Sequence, residues 1–138
     1  MTQRRKPSRM QEALLETTRD LVEAGITPVA DLDKIIEVRG KSCPVDYPDT
    51  RVSDSLKWVG QLIGSGFDSR IYYVSQGGFD THARQKEAHG QLLGMVSDGV
   101  AAFYRHLKAL GAAERVTLLV FSEFGRRVKE NGARGTDH

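Results

Sequence analysis

The sequence contains two short apolar stretches, Ile71-Tyr72-Tyr73-Val74 and Val116-Thr117-Leu118-Leu119-Val120-Phe121. Both are rich in β-branched and aromatic residues, and neither alternates with polar residues, which is typical of buried strands in a parallel sheet. Between them, residues 83–110 carry apolar side chains at steps of three and four, which predicts a long helix. A strand, a helix and a strand form a βαβ unit, so the sequence predicts an α/β fold with a parallel sheet.

The rest of the chain is predicted to pack helices on this sheet. Apolar spacing and terminating glycines predict helices over roughly 9–24, 31–38 and 54–64. On the long helix, His106 flanks the apolar stripe and is expected to be exposed. Two strands do not make a stable parallel sheet. Residues 9–138 are therefore expected to be a fragment of a single domain from a larger α/β protein, preceded by a disordered basic arm over 1–8.

Composition excludes several classes of protein. A chain of 138 residues with 39% apolar and 28% charged residues is ordinary for one globular domain. A net charge of +2 is too balanced to indicate a nucleic-acid partner, and the basic residues of the N-terminal arm are interpreted as solvated. No apolar run approaches the ~20 residues of a membrane span. The single cysteine, Cys43, excludes an internal disulfide and is interpreted as incidental.

Acids and imidazoles follow both predicted strands. Asp80 and His82 come after the first strand, Glu123 comes directly after the second, and Asp137 and His138 lie one loop further on. Ligands of parallel sheets bind beyond the carboxyl ends of the strands, so these side chains are expected to converge there. Converging carboxylates repel one another unless a cation neutralises them. Oxygen and nitrogen ligands without thiolate favour zinc, manganese, iron or magnesium, so the sequence predicts a site for a divalent metal ion.

The same residues also allow structural interpretations. Asp80 could cap the helix that begins near residue 83. Glu123 could form a salt bridge with Arg126 or Arg127. Asp137 and His138 could belong to a loose chain end. These alternatives stay open at the level of the sequence.

Three motifs identify a family resemblance. They are Gly77-Gly78-Phe79-Asp80-Thr81-His82, Ser122-Glu123-Phe124-Gly125-Arg126 and Gly135-Thr136-Asp137-His138, the last preceded by Asn131-Gly132. Their order and spacing resemble the DUF1501 family, a group of uncharacterised bacterial proteins that is similar in fold to the alkaline phosphatase/sulfatase superfamily. The resemblance covers about residues 45–138, and 9–44 more loosely.

The resemblance implies an incomplete, alkaline-phosphatase-like α/β/α sandwich with metal ligands at the strand ends. The element Ser122-Glu123-Phe124-Gly125 is similar to the Ser-Asp-His-Gly element that supplies metal ligands in sulfatases and phosphomutases. Glu123 would take the acidic position of that element, and Phe124 replaces its histidine. Asp137 and His138 would make up for the missing imidazole. Members of the family are commonly exported, although this sequence carries no export signal.

The function expected from the complete protein is that of a metal-dependent hydrolase or transferase acting on phosphate or sulfate esters, small or polymeric. The expected metal ligands are Asp80, His82, Glu123, Asp137 and His138. Arg126 is expected to neutralise charge on the transferred group, because its planar fork suits tetrahedral oxyanions, or else to form a structural salt bridge. No nucleophile elbow occurs in 1–70, so this chain is expected to be inactive by itself. The alternative is a non-catalytic scaffold that binds a partner or polysaccharide, which the phenylalanine at position 124 favours.

Overall fold

The computed structural model describes residues 37–38 and 41–138, and its second compact unit is Ser42–His138. That unit contains helix α1 (Arg51–Gly64), helix α2 (Gln85–Ala109) and a short 3₁₀ helix (Ala113–Arg115). The predicted arm and the helix over 9–24 lie outside the described residues. So does the helix over 31–38, apart from residues 37 and 38, which are helical.

Helix α1 confirms the helix predicted over 54–64 and begins three residues earlier. Thr50 has an extended backbone, and its side-chain oxygen accepts a hydrogen bond from the N–H of Ser53, which caps the first turn. Asp54 in that turn complements the positive end of the helix dipole. Ser53, the cap expected from the sequence, lies one turn inside and is completely buried. The N-cap of α1 is therefore Thr50, whereas the sequence predicts Ser53.

Helix α2 confirms the long helix predicted over 83–110. It starts after Arg84, which has a left-handed backbone with φ 45°, and no side chain caps it. Instead, the N–H groups of Arg84 and Gln85 donate to the carbonyls of Ala133 and Arg134, so a distant loop satisfies the helix start. Gly111, with φ 63°, ends the helix as expected. In the described part of the chain, no helix is both long and apolar enough to cross a bilayer.

Helices α1 and α2 pack against each other around one apolar cluster. Its buried members are Val52, Leu56, Phe103, Leu107 and Ala112. Small residues allow the close approach: a Cβ built on Gly99 would lie 3.0 Å from Ser53 Oγ, and one on Gly60 would lie 2.4 Å from His106 Nδ1. The expectation that His106 is exposed is wrong, because Gly60 leaves room for the ring and only 1% of the residue is accessible.

The predicted parallel sheet is wrong: residues 41–138 contain no strand, so the structure shows no α/β/α sandwich and no alkaline-phosphatase-like fold. Segments 71–74 and 116–121 are neither helical nor paired with each other. Only Val74 and Val116 pack on the helical cluster, whereas Ile71 and Leu119 are 85% and 76% exposed. A strand needs a neighbour for its backbone hydrogen bonds, and β-propensity alone does not supply one.

Replacing Gly60 with alanine tests the close approach of the two helices. The added methyl group would collide with the His106 ring, so we expect Gly60→Ala to lower the free energy of unfolding by about 1–3 kcal/mol. Gly94 lies in α2 with nothing near its Cβ position. The matched variant Gly94→Ala should therefore raise stability by about 0.5–1 kcal/mol. Denaturant unfolding followed by circular dichroism measures both changes, and equal effects would contradict the packing described here.

The buried His106 predicts a dependence of stability on pH. Burial and the nearby Lys57 ammonium lower the pKa of His106 below its ordinary 6.5. The Tyr47 hydroxyl oxygen lies 3.1 Å from Nδ1 of the ring, and Cys43 Sγ lies 3.8 Å from the same nitrogen. The unfolded chain then binds a proton that the folded chain does not. Below pH 6.5, stability should fall by up to about 1.4 kcal/mol per pH unit because of this group.

Comparison with His106→Gln isolates this contribution from that of the other histidines. The difference in unfolding free energy between the wild type and the variant should shrink as the pH falls from about 7.5 to about 5, a range that brackets the ordinary pKa of histidine. Urea unfolding at a series of pH values measures it. A difference that stays constant or grows on acidification would show that the His106 pKa is not lowered.

Candidate metal site

The loop that precedes α2 carries Asp80 and His82. The ring of Phe79 packs edge-on against His89 of α2, with 5.4 Å between the ring centroids. Thr81 N–H donates to the Phe79 carbonyl at 2.9 Å, which makes a tight turn around Asp80. The loop is therefore anchored on the helix just before the two polar residues and leads into the helix directly after them.

The loop over 131–137 is organised by Asn131 and lies against the first loop. Asn131 Oδ1 accepts the N–H groups of Ala133 and Gly135 at 2.9 and 3.0 Å. Its Nδ2 donates to the His82 carbonyl and to Asp137 Oδ1, each at 3.0 Å. One amide side chain thus shapes its own loop and attaches that loop to His82.

Gly135 lies directly on the backbone of His82. A Cβ at this position would be 2.3 Å from the carbonyl carbon and oxygen of His82 and 2.8 Å from the nitrogen of Ala83. Backbone atoms cannot rotate away as a side chain does, so only glycine fits here. The close contact brings the residues after Gly135 to the side chains of the first loop.

Arg126 also bonds to both of these loops. Its guanidinium donates to the Thr81 carbonyl at 3.0 Å and also to the carbonyls of Phe79 and Thr136. The side chain is 14% exposed, and its nearest carboxylate oxygen is Asp80 Oδ1 at 4.0 Å. Arg126 therefore bonds chiefly to backbone in this structure.

Asp80, His82 and His138 form a compact group at the surface. Asp80 Oδ1 lies 2.7 Å from His82 Nε2 and 3.0 Å from His138 Nε2. One ligand atom from each residue lies within 4.8 Å of the other two. Nδ1 of His82 lies 2.9 Å from Asp137 Oδ1, so both nitrogens of this ring face a carboxylate.

The paired charges shift the pKa values of this group in opposite directions. The hydrogen bonds from His138 and His82 lower the pKa of the Asp80 carboxyl. Asp137 and Asp80 raise the pKa of His82. The pKa of Asp137 is lowered by His82 and by the Asn131 amide. The three residues therefore belong to one hydrogen-bonded cluster, in which the His82 ring lies between two carboxylates and each group favours the charged form of its partner.

Three of the five expected ligands form this group, Asp137 contacts it, and Glu123 does not. Glu123 is exposed and lies outside the group, and within residues 41–138 it forms no ion pair with Arg126 or Arg127. Asp137 reaches the group only through the far nitrogen of His82. Asp80 does not cap α2, because the cap residue is Arg84. Both acids are hydrogen-bonded to histidines: Asp137 to His82, and Asp80 to His82 and His138.

Phe124 packs against one member of this group, His138. It stacks on the ring of His138, with 4.4 Å between centroids and 29° between planes, and the Arg126 guanidinium lies over it at 5.4 Å. Phe124, which stands where the similar element of sulfatases has a histidine, thus packs against His138 of another loop. Sequence reasoning missed the roles of Asn131 and Gly135, although both occur in the quoted motifs.

The fold and the site define a helical chain with a solvent-facing group of carboxylate and imidazole side chains on two loops that contact each other. A family model described as a protein of unknown function, DUF1501, matches residues 62–138, more than half of the chain. The chain therefore belongs to the DUF1501 family, which confirms the resemblance drawn from its motifs. No curated protein and no solved structure matches it.

Substituting Gly135 tests the contact that brings the two loops together. Gly135→Ala must push the loop away from the His82 backbone, which breaks the hydrogen bonds of Asn131 Nδ2. The control is Gly132→Ala in the same loop, where nothing lies near the Cβ position. In ¹H–¹⁵N spectra, the side-chain amide signals of Asn131 should move to free-amide positions in Gly135→Ala only. Unchanged signals in that variant would contradict the contact.

Proposed function

We propose that the chain binds a divalent metal ion through Asp80, His82 and His138. The observation that supports this most is the convergence of one carboxylate and two imidazoles, from loops more than fifty residues apart, on one surface point. Asp137 serves as the partner that holds the His82 ring rather than as a ligand. Glu123 is left out of the ligand set because it lies outside the group.

The residues present fit such an ion. Imidazole and carboxylate ligands bind zinc at about 2.0–2.2 Å, which fits three ligand atoms that already lie close together. A metal-bound histidine usually donates its other ring N–H to a carboxylate, and Asp137 is placed at Nδ1 of His82 to accept it. Asn131 in turn holds that carboxylate. The set of two histidines and one carboxylate suits zinc, iron or manganese better than magnesium, which prefers oxygen ligands.

We further propose that this centre serves hydrolysis or transfer of a phosphate or sulfate ester in the complete protein. A bound divalent ion polarises an ester oxygen and lowers the pKa of a bound water. Asp80, His82 and His138 are each at least one-third exposed, so coordination positions remain open toward solvent. The family match supports no particular reaction, so the reaction class rests on the ligand set and on the resemblance of the motifs.

Arg126 is proposed chiefly as a positioning residue in this site. Its bonds to the carbonyls of Phe79 and Thr136 fix the loops that carry the ligands. The sequence also predicts that it neutralises charge on a transferred group, and its contact with Asp80 at 4.0 Å places it beside the centre. The two roles differ in outcome: loss of positioning weakens metal binding, and loss of charge neutralisation weakens only turnover.

Metal binding tests the proposal directly. Isothermal titration of the full chain with zinc and manganese should show one site, with affinity lowered at least tenfold in His82→Ala and His138→Ala, since each removes one of three ligands. Asp137→Asn should weaken binding by about 10–100-fold, the usual effect of losing a residue that orients a ligand.

Glu123→Gln is the matched control, because it removes a nearby carboxylate that the structure leaves outside the group. It should bind metal as the wild type does. Binding that is lost with Glu123 but survives loss of His138 would contradict this ligand set. Binding unaffected by any of these variants would indicate adventitious surface binding and overturn the proposal.

A non-catalytic role is the second candidate, and Phe124 favours it. The phenylalanine packs on His138 where the related motif of sulfatases has a ligand. A scaffold of this kind would keep the cluster to hold its loops and would bind a partner or polysaccharide. A panel of phosphate and sulfate esters, tested on the metal-loaded full-length protein, separates the candidates: hydrolysis lost in His82→Ala supports the enzyme, and no hydrolysis supports the scaffold.

A further inference from the structure

Cys43, Tyr47 and His106 form a side-chain cluster that is separate from the metal site. His106 lies on α2, and Cys43 and Tyr47 lie on the loop that precedes α1. The Sγ atom of Cys43 lies 3.8 Å from Nδ1 of His106 and 3.9 Å from Nε2. The Tyr47 hydroxyl oxygen lies 3.1 Å from Nδ1. A nucleophile, a base and a third group that orients the base therefore lie in contact, which is the arrangement that activates a thiol.

The imidazole of this cluster is fixed in place, and one of its nitrogens is left for the thiol. Only 1% of His106 is accessible, and the Tyr47 ring packs edge-on against it with 5.9 Å between the centroids. On the α1 side, Gly60 leaves no room for even a methyl group beside Nδ1. The hydroxyl lies at Nδ1, and in the part of the chain that the structure describes, Nε2 has no hydrogen-bond partner except Cys43 Sγ.

The electrostatic surroundings suit a neutral imidazole beside a sulfur that becomes negative. Burial and Lys57 of α1 lower the pKa of His106, so the ring is neutral at neutral pH and can accept a proton. Burial raises the pKa of the Tyr47 hydroxyl, whose oxygen stays neutral and can accept the Nδ1 proton. Lys57 acts on His106 and Arg105 of α2 acts on Tyr47, and positive charge favours a developing thiolate. Cys43 is only partly buried, so a small reagent can reach it.

We propose that Cys43 is a reactive thiol that exchanges with low-molecular-weight disulfides, with His106 as its general base. As Sγ bonds to one sulfur of the reagent, the thiol proton passes to Nε2, the S–S bond of the reagent breaks, and the second sulfur leaves as a thiolate with the electron pair. The imidazolium returns the proton to that thiolate. Cys43 ends as a mixed disulfide, and half of the reagent is reduced to a thiol. Tyr47 is a positioning residue, and the site is independent of the metal centre, whose ligands lie elsewhere.

Reaction with the coloured disulfide dithiobis(nitrobenzoate) tests the proposal, since Cys43 is the single cysteine of the chain. At about pH 7, the native chain should react at least roughly tenfold faster than the chain unfolded in urea, although unfolding exposes the thiol fully. His106→Gln should abolish this advantage, and Tyr47→Phe should reduce it severalfold. Tyr47→Phe loses only a hydroxyl, so it decides the test if circular dichroism shows that His106→Gln is unfolded. A native rate no faster than the unfolded rate, or one that the folded variants leave unchanged, would overturn the proposal.

The dependence of the rate on pH separates a general base from a merely accessible thiol. The control is Val128→Cys in a Cys43→Ser background, because Val128 is fully exposed. The control rate should fall about tenfold for each pH unit below ~8.5, as for a free thiol. The rate of Cys43 should fall much less down to about pH 6.5, because His106 is still neutral there. The other charged groups of the cluster are of types that do not ordinarily titrate in this range. Parallel profiles for the two thiols would show that His106 is not the base.

Discussion

The structure of the candidate site depends on the attachment of the loop over 131–137 to the loop that precedes α2. Gly135 lies on the His82 backbone at a distance that excludes any side chain, and the Asn131 amide bonds both to that backbone and to Asp137. Arg126 adds bonds to the carbonyls of both loops. The contacts of Gly135 and Asn131 are made by backbone and a neutral amide, and those of Arg126 go to backbone carbonyls, so none of them depends on the charges of the histidines.

The titratable side chains of the site then form one hydrogen-bonded cluster. Asp80 Oδ1 lies between the imidazoles of His82 and His138, and the His82 ring lies between the carboxylates of Asp80 and Asp137. Acidic and basic groups therefore alternate along the cluster. The hydrogen bonds between these groups lower the pKa values of Asp80 and Asp137 and raise the pKa of His82. In the proposed site, Asp80, His82 and His138 would hold the divalent ion, and Asp137 would accept the hydrogen bond from the far nitrogen of the His82 ring.

The helices could be predicted from the sequence, and the sheet could not. Spacing of apolar residues by three and four is a local property, so α1 and α2 follow from residues 54–64 and 83–110 with small errors at their ends. The apolar character of 71–74 and 116–121 is equally local, but a strand exists only with a partner, and the described residues provide none. The burial of His106 depends on Gly60 across the helix interface, which periodicity along one helix does not contain.

The residues of the site could be predicted by type, and their arrangement could not. The sequence places acids and imidazoles after two apolar stretches, and Asp80, His82 and His138 do meet, although no sheet edge gathers them; their role as ligands stays a prediction. The supporting position of Asp137 follows from loop contacts made by Asn131 and Gly135, which no spacing rule encodes. The most direct measurement is X-ray absorption at the zinc edge of the zinc-loaded chain. The account predicts a first shell of nitrogen and oxygen with outer scattering from two imidazoles, and a shell without imidazole scattering, or with sulfur from Cys43, would contradict it.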